Sequence, residues 1–194
     1  MVVLAEYLDR TTALHNHLCP RQVLGVRMGL LAGELLGLTL PQTDKRLYTF
    51  VETDGCFADG VSVATGCWLG HRTMRLMDYG RVAATFVDTE CERALRVWPH
   101  PQARTLAAHY APEASDHWHA QRDAYQTMPA AELLRWEPVV LTVSLKALIS
   151  RHGVRVCCSK CGEEILNERE IIIGGAPVCR ACAGEGYYRR AAGG

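Results

Sequence analysis

Two Cys-x2-Cys pairs near the C-terminus constrain the fold of this chain more than any other feature of its sequence. Cys158 and Cys161 form the first pair, and after 17 intervening residues Cys179 and Cys182 form the second. Each pair presents two thiolates from one tight turn, and two such turns complete the tetrahedral shell that zinc requires. A segment of about 40 residues buries too little apolar surface to fold unaided. We therefore expect bound zinc to supply much of its stability.

Two alternatives concern the metal and its ligands. The same four thiols also suit an iron ion bound as in rubredoxin. Cys157 directly precedes the first pair, and it could replace Cys158 in a distorted site. Residues 170–178 contain two short apolar stretches around a Gly-Gly step, which predicts a hairpin. A short helix is expected after Cys182, which makes the module of zinc-ribbon or treble-clef type.

The preceding residues are predicted to form a separate α+β domain over 1–150, followed by the zinc-binding module over 151–194. The hydrophobic fraction of 48% is sufficient for a core. Helices are predicted at 20–38, 57–66, 101–110, 113–126 and 129–135, and strands at 46–53, 80–88, 94–98 and 138–145. Because the two kinds of element do not alternate regularly, we expect a mixed sheet packed with helices.

Glycine recurs at every fourth position of the helix predicted over 20–38. The four residues are Gly25, Gly29, Gly33 and Gly37. Each lowers helix stability by roughly 1 kcal/mol relative to alanine. This loss indicates that another backbone element approaches the helix closely, although glycines that are merely tolerated remain the alternative.

A His-x-His-x-Cys run ends immediately before that helix. It places His15, His17 and Cys19 within five residues. In an extended stretch alternate side chains share one face, so we expect these three to point together. Cys19 would lie beside the helix N-terminus, where the helix dipole favours the thiolate. Imidazole and thiolate together suit zinc, iron or copper.

Two further cysteines each follow a glycine. Cys56 comes after an Asp-Gly pair at the end of a predicted strand, and Cys67 comes after a Thr-Gly pair at the end of a predicted helix. The alternative for each is a small buried side chain. We interpret them as sharing one core metal site with the preceding run, formed by His15, His17, Cys19, Cys56 and Cys67. Asp54 and Asp59 are candidates for orienting these ligands, with turn and helix-cap roles as the alternative.

These motifs resemble the FmdE family, which is named for a component of formylmethanofuran dehydrogenase. That family shows His-x-His-x-Cys-Pro-Gly, Asp-Gly-Cys, Thr-Gly-Cys-Thr-x-Gly-Lys and Asp-Tyr-Gly-Lys segments, which correspond here to 15–20, 54–56, 65–71 and 78–81. Many members also end in a zinc-finger module. Among its departures from the pattern, Arg21, Trp68 and His71 replace the usual Gly, Thr and Lys.

The resemblance implies an α+β core that forms intertwined homodimers and carries a Cys/His site able to bind a second metal. The family name reflects a link with a molybdenum or tungsten enzyme that reduces carbon dioxide to a formyl group. An accessory role for such an enzyme in one-carbon metabolism follows, with that enzyme as partner. One alternative is a metal- or thiolate-dependent enzyme with Cys19, Cys56, Cys67 and His71 as catalytic candidates. Another is a zinc-finger regulatory protein.

Charge and hydropathy limit the partners. Residues 1–150 carry a net charge of −2 and residues 151–194 a net charge of +2, which four zinc-bound thiolates would bring near neutral. Nucleic acid is therefore not expected as a partner. No apolar run reaches the roughly 18 residues of a membrane span. The first residues do not resemble a signal peptide, so we expect a cytoplasmic protein whose nine cysteines are ligands or thiols.

Overall fold

A computed structural model describes residues 4–149 and 153–189 and divides the chain into two compact units, Met1–Thr142 and Val143–Gly194. The first unit contains α1 (Leu4–His15), α2 (Pro20–Leu36), β1 (Leu47–Val51), α3 (Cys56–Thr65), β2 (Met74–Leu76), β3 (Ala84–Asp88), β4 (Ala94–Pro99), α4 (Ala103–Tyr110), α5 (His117–Thr127), α6 (Ala130–Leu133) and β5 (Leu134–Val139). The second contains α7 (Leu145–Ile149), β6 (Arg155–Cys157), β7 (Glu164–Leu166), β8 (Ile171–Ile173), β9 (Ala176–Val178) and a π-type turn at Ala181–Glu185. No helix in these described ranges is long and apolar enough to cross a membrane.

The first unit is built on a five-stranded mixed sheet in the order β2-β1-β3-β4-β5. β1 and β2 are parallel and are connected through α3, whereas the other neighbouring strands are antiparallel. Leu47, Val51, Phe86 and Val97 belong to the core cluster together with residues of α2 and α3. The predicted α+β class, with a mixed sheet packed against helices, is confirmed.

Glycine brings α2 and α3 together as two closely packed, parallel helices. A Cβ atom added to Gly25 would overlap the carbonyl oxygen of Phe57, and one added to Gly29 would lie 2.7 Å from the Cβ of Ala64. The predicted close approach of another backbone is therefore confirmed at these two positions. Because the contacts ascend along both helices together, the N-terminal ends of α2 and α3 lie side by side.

The other two glycines of the repeat have different structural reasons. Gly33 leaves room for Leu40, whose Cγ would lie 2.8 Å from an added Cβ. Gly37 follows the last residue of α2 and has a φ of 72°, a left-handed conformation that glycine adopts readily. Its N–H donates to the carbonyl oxygen of Glu34 at 3.2 Å. Contact between the two helices therefore explains only two of the four glycines, Gly25 and Gly29.

Some elements differ from the prediction. The strand expected at 138–145 lies at Leu134–Val139, and it shortens the helix expected at 129–135 to Ala130–Leu133. Pairing with β4 decides this register, since Trp136 lies opposite Val97. Pro138 is tolerated because β5 is an edge strand. The sequence pattern also did not predict α1, β2 or the β6–β7 hairpin.

The second unit consists of two small hairpins with little apolar core. β6 pairs with β7, and β8 pairs with β9 from Ile171 opposite Val178 to Ile173 opposite Ala176, which confirms the hairpin predicted over 170–178. Its buried cluster is formed by Cys158, Ile165 and Val178. The domain boundary near residue 150 stays a prediction, and residues 150–152 lie outside the described part of the chain.

Candidate metal centres

The four cysteines of the C-terminal pairs converge in the second unit. The Sγ atoms of Cys158, Cys161, Cys179 and Cys182 all lie within 4.8 Å of one another. The Sγ atoms of Cys161 and Cys179 are 3.9 Å apart. Two thiolates bound tetrahedrally to one zinc ion at its usual bond length are separated by roughly 3.8 Å. The arrangement therefore fits a closed four-thiolate zinc site.

Backbone N–H groups act most strongly on the Cys158 thiol. Gly162 has a φ of 78°, and its N–H donates to the carbonyl oxygen of Cys158 at 2.9 Å, which closes the first turn. The N–H of Cys179 donates to the Sγ of Cys158 at 3.3 Å. This N–H, and then that of Cys161, lower the pKa of the Cys158 thiol to about 6. The thiolate is thus favoured at Cys158, whereas the neighbouring Cys179 and Cys161 thiols raise the pKa of Cys182 to about 12, so the four sulfurs hold their protons unequally without a metal.

Cys157 does not join this cluster. It is exposed, and it ends β6 opposite Glu164. The sulfur of the next residue, Cys158, is the one that lies among the other three. The alternative in which Cys157 replaces Cys158 is therefore not the arrangement that the chain adopts.

A cleft of about 840 Å³ lies in the first unit, at the adjacent N-terminal ends of α2 and α3. Cys19 is the N-cap residue of α2, and Cys56 is the first residue of α3; both line the cleft. Segments after β1 and β4, together with α4 and α5, form its other walls. The parallel packing of α2 and α3 therefore brings two thiols that are 37 residues apart in sequence into one cleft.

The two thiols of the cleft interact with each other. Burial, and then the neighbouring Cys19 thiol, raise the pKa of the Cys56 thiol, while the Arg21 guanidinium acts in the opposite direction. The backbone N–H of Cys19 donates to Gln22 Oε1 at 2.7 Å. Gln22 Nε2 in turn donates to the carbonyl oxygen of Thr11 at 2.9 Å, which anchors the start of α2 to α1.

His15 lies next to this thiol pair, held by a carboxylate. Its Nε2 is 2.6 Å from Asp59 Oδ2, and its Nδ1 is 4.0 Å from Cys56 Sγ. A proton on Nε2 is donated to the carboxylate, which leaves the Nδ1 lone pair directed toward the sulfur. Metal-binding histidines in proteins are commonly oriented by a carboxylate in this way. Asp59 therefore occupies the position expected of a residue that orients a ligand.

The extended conformation expected for the His-x-His-x-Cys run is wrong. His15 is the last residue of α1, and Asn16 turns the chain with a φ of 58°. His17 lines the cleft and donates from Nδ1 to the carbonyl oxygen of His15 at 2.9 Å, which leaves its Nε2 as an acceptor. A helix end and a left-handed residue, rather than strand alternation, therefore bring His15, His17 and Cys19 to one region.

The donor atoms in the cleft are near one another but do not yet converge. Among residues 4–149 and 153–189, the C-terminal cysteines are the one group of three or more whose ligand atoms all lie within 4.8 Å. His15, His17, Cys19 and Cys56 would need side-chain rotations to share a single ion.

Cys67 and His71 lie elsewhere. Cys56 begins the ten-residue helix α3 and Cys67 follows its C-cap residue Gly66, so a helix length of about 15 Å separates them. Cys67 is buried, donates to the carbonyl oxygen of Leu47 at 3.2 Å, and has its pKa raised by that burial. His71 is exposed in the turn before β2. The structure thus does not bring these two residues into the cleft with Cys19 and Cys56.

Gly80 and Arg81, the last two residues of the segment 78–81, line the cleft. The N–H groups of Tyr79 and Arg81 donate to the carbonyl oxygen of Glu52 at 3.0 and 3.2 Å. The Glu52 carboxylate is 2.8 Å from Arg81 Nε and 2.7 Å from Arg96 Nε. Burial would raise the pKa of Glu52, but the hydrogen bonds and charges of Arg96 and Arg81 outweigh it and lower the pKa. Glu52 thus holds Arg81 at the cleft.

Sequence reasoning missed the wall formed by α4 and α5. It contains Arg104, Trp118, Gln121 and Tyr125. These residues lie 48 or more positions after Cys56 and form no motif with it. No pattern in the sequence indicated that they would face the cysteines.

Comparison with known proteins explains both units. Residues 14–135 match the family described as FmdE, molybdenum formylmethanofuran dehydrogenase operon. This chain belongs to the FmdE family. Residues 152–188 match the prokaryotic dksA/traR C4-type zinc finger, and with the converging sulfurs this confirms zinc as the metal of the C-terminal module. The resemblance read from the sequence is likewise confirmed.

Two known proteins are similar to this FmdE family member. A protein of Archaeoglobus fulgidus described as a probable S-adenosyl-L-methionine-binding protein is 34% identical over 114 residues, which cover 57% of this chain. This chain spans only 31% of the length of that relative. A tungsten formylmethanofuran dehydrogenase FmdE-like protein of Syntrophus aciditrophicus has a crystal structure that superposes with a TM-score of 0.61. The match covers 96% of this chain and 95% of that one at 21% identity, so it shows a shared fold alone.

Proposed function

We propose that this FmdE family member is a metal-binding accessory protein for a molybdenum or tungsten enzyme of one-carbon metabolism, and that its cleft binds a second metal ion besides the zinc. The observation that carries the proposal is the grouping of Cys19, Cys56 and the carboxylate-held His15 at the adjacent ends of two helices.

The spacing of the donor atoms supports a metal. A thiolate and an imidazole bound tetrahedrally to one zinc ion are separated by roughly 3.6 Å. The 4.0 Å between Cys56 Sγ and His15 Nδ1 differs from this by an amount that a small side-chain rotation removes. Thiolate with imidazole favours zinc, iron or copper over magnesium or calcium.

An accessory role has more support than an independent catalytic one. The family description names a molybdenum enzyme operon, and the Syntrophus aciditrophicus relative is described with the tungsten form of that enzyme. Two of the four catalytic candidates, Cys67 and His71, are not part of the cleft wall. Homodimer formation and a location in the cytoplasm stay predictions, as does the absence of nucleic acid among the partners.

Elemental mass spectrometry tests the second metal. We expect zinc plus one further metal ion per chain in the parent protein, and loss of about one ion in Cys19→Ser and Cys56→Ser. The matched control is Cys67→Ser, which removes a thiol outside the cleft and should keep both ions. A single metal per chain in the parent, or equal content in all three variants, would contradict the proposal.

The partner is tested in the source cells. A tagged copy of the chain is purified from extract, and molybdenum and tungsten are measured in the eluate against an untagged control. We expect one of the two elements to be enriched together with a formyl-transferring or formyl-forming enzyme identified by its peptides. If neither molybdenum nor tungsten exceeds its level in the untagged control, the accessory role is contradicted.

A second candidate function is binding of S-adenosyl-L-methionine. Two observations favour it: the Archaeoglobus fulgidus relative is described with this ligand, and a cleft of about 840 Å³ is far larger than one metal ion needs. Isothermal titration with S-adenosyl-L-methionine should then give saturable heat at one ligand per chain. Trp118→Ala, which removes the exposed ring of the cleft wall, should weaken it. No saturable heat would exclude this candidate.

A further inference from the structure

The charged side chains on the cleft wall are all cationic. Arg21, Arg81 and Arg104 line it. Among the described residues that line it there is no aspartate or glutamate. The whole chain carries equal numbers of basic and acidic residues, 21 of each. The cleft is therefore a positive region on a protein with no net charge.

Acidic side chains do not fully neutralise the positive charges of these arginines. Arg81 shares the buried Glu52 carboxylate with Arg96, so that group of three side chains keeps one positive charge. Arg21 and Arg104 have no hydrogen-bond or ion-pair partner within the part of the chain that the structure describes. Metal ligation by thiols and imidazoles gives no reason for free guanidinium groups, because guanidinium ions repel a metal cation.

The two free arginines stand at different parts of the wall. Arg21 lies in the first turn of α2, two residues after Cys19. Arg104 lies in the first turn of α4, on the wall formed by α4 and α5. A ligand in the cleft therefore meets positive charge from two helices that are distant in sequence. A concave site with one sign of charge concentrates ligands of the opposite sign.

The remainder of the wall is apolar and suits an organic molecule. Leu24, Val82, Pro99 and Tyr125 contribute to it, and Trp118 is 42% exposed there. The volume of about 840 Å³ lies in the range of small-molecule sites, roughly 300–1,000 Å³. A guanidinium group binds carboxylate and phosphate through paired hydrogen bonds.

We propose that the cleft binds a small organic anion, with its carboxylate or phosphate group held by Arg21 and Arg104 and its apolar body against Trp118. The inference rests on the charge and shape of the wall. It goes beyond the proposed second metal and does not require that metal.

Binding of benzoate and phenyl phosphate tests this proposal, because the two probes join one apolar ring to a carboxylate or a phosphate. Benzamide and benzylammonium present the same ring with no charge and with a positive charge. Affinities are measured on the full-length protein by isothermal titration and by amide chemical shifts in NMR spectra. We expect saturable binding of at least one anion, at least tenfold tighter than either control. The tighter anion identifies the group that the cleft prefers.

Arginine variants connect the affinity to the wall. A charged hydrogen bond stabilises by an amount that corresponds to about a tenfold change in affinity. Arg21→Gln and Arg104→Gln should therefore each weaken the anion about tenfold. The matched control Arg10→Gln removes an exposed guanidinium on α1, outside the cleft, and should leave the affinity unchanged.

Two results would overturn the inference: benzamide binding as tightly as the anions, or the same anion affinity in all three arginine variants. Metal content is measured on the same samples, so the two proposals can fail separately. Absence of anion binding with two metals present refutes only the anion site. Anion binding in a protein that carries zinc alone refutes only the second metal.

Discussion

Replacing Gly25 by alanine tests the helix contact on which the cleft depends. The added Cβ would overlap the carbonyl oxygen of Phe57 and lie 2.8 Å from the backbone nitrogen of Val61. Both atoms belong to the backbone of α3, so relief requires that α2 and α3 move apart. In an unhindered helix the same change would stabilise by about 1 kcal/mol. Overpacking costs about 1–3 kcal/mol, and a contact with backbone atoms belongs at the upper end of that range, so we expect a net loss of roughly 2 kcal/mol.

The assay follows from the distribution of tryptophan. All four tryptophans lie before residue 143, so their fluorescence reports unfolding of the first unit alone. Urea titrations followed by this signal should rank the variants Gly25→Ala, Gly29→Ala and Gly70→Ala from least to most stable. Gly70 is the matched control, since an added Cβ there meets no atom within 4 Å.

The cleft should respond as well, because separation of the two helices moves Cys19 away from Cys56. We expect Gly25→Ala to lose affinity for the proposed second metal even where it remains folded. A Gly25→Ala protein as stable as the parent would refute the packing argument, since it would mean that the two helices do not approach at this position.

Three further predictions concern other parts of the molecule. Cys179→Ser should release the zinc and unfold the second unit. Elemental analysis should then find one metal ion fewer per chain, and the amide protons of the second unit should lose their protection from exchange, while the urea midpoint of the tryptophan signal stays unchanged. An unchanged zinc content would contradict the zinc site. Glu52→Gln should destabilise the first unit by about 2 kcal/mol, because it leaves the partly buried Arg96 guanidinium without its carboxylate. Since folding lowers the pKa of Glu52 below its ordinary 4.5, the parent loses this contribution as pH falls below that value and the variant does not. Asp59→Asn should weaken the second metal by about 10- to 100-fold in a chelator competition, since His15 loses its orienting carboxylate; Asp54→Asn is the control, and equal affinities would refute the role of Asp59.

The zinc module could be predicted because all its ligands belong to two short, local patterns. A Cys-x2-Cys turn determines the direction of both of its sulfurs, so spacing alone indicates the chemistry. Helix α2 was similarly evident from its apolar periodicity. Strand β5 was misplaced because its register depends on pairing with β4, which a local pattern does not contain.

The cleft could be predicted only in part. The cysteines and histidines before α2 and α3 stood out as motifs, but their geometry did not. Asn16 adopts a left-handed conformation, and this single residue replaces the expected strand-like arrangement. Cys67 carried the same Gly-Cys signal as Cys56, yet it lies at the opposite end of α3. A motif identifies residues whose side chains can bind a metal or react. The position of each residue on its helix decides where that side chain can act.

The sequence by itself therefore determined the family, the α+β class and the zinc site, since each depends on residues close together in the chain. Only the tertiary structure decided the composition of the cleft. The parallel contact of α2 and α3 joins Cys19 to Cys56, and the packing of α4 and α5 adds Arg104 and Trp118 from distant parts of the chain. The positive charge of that cleft comes from residues that only the fold brings together.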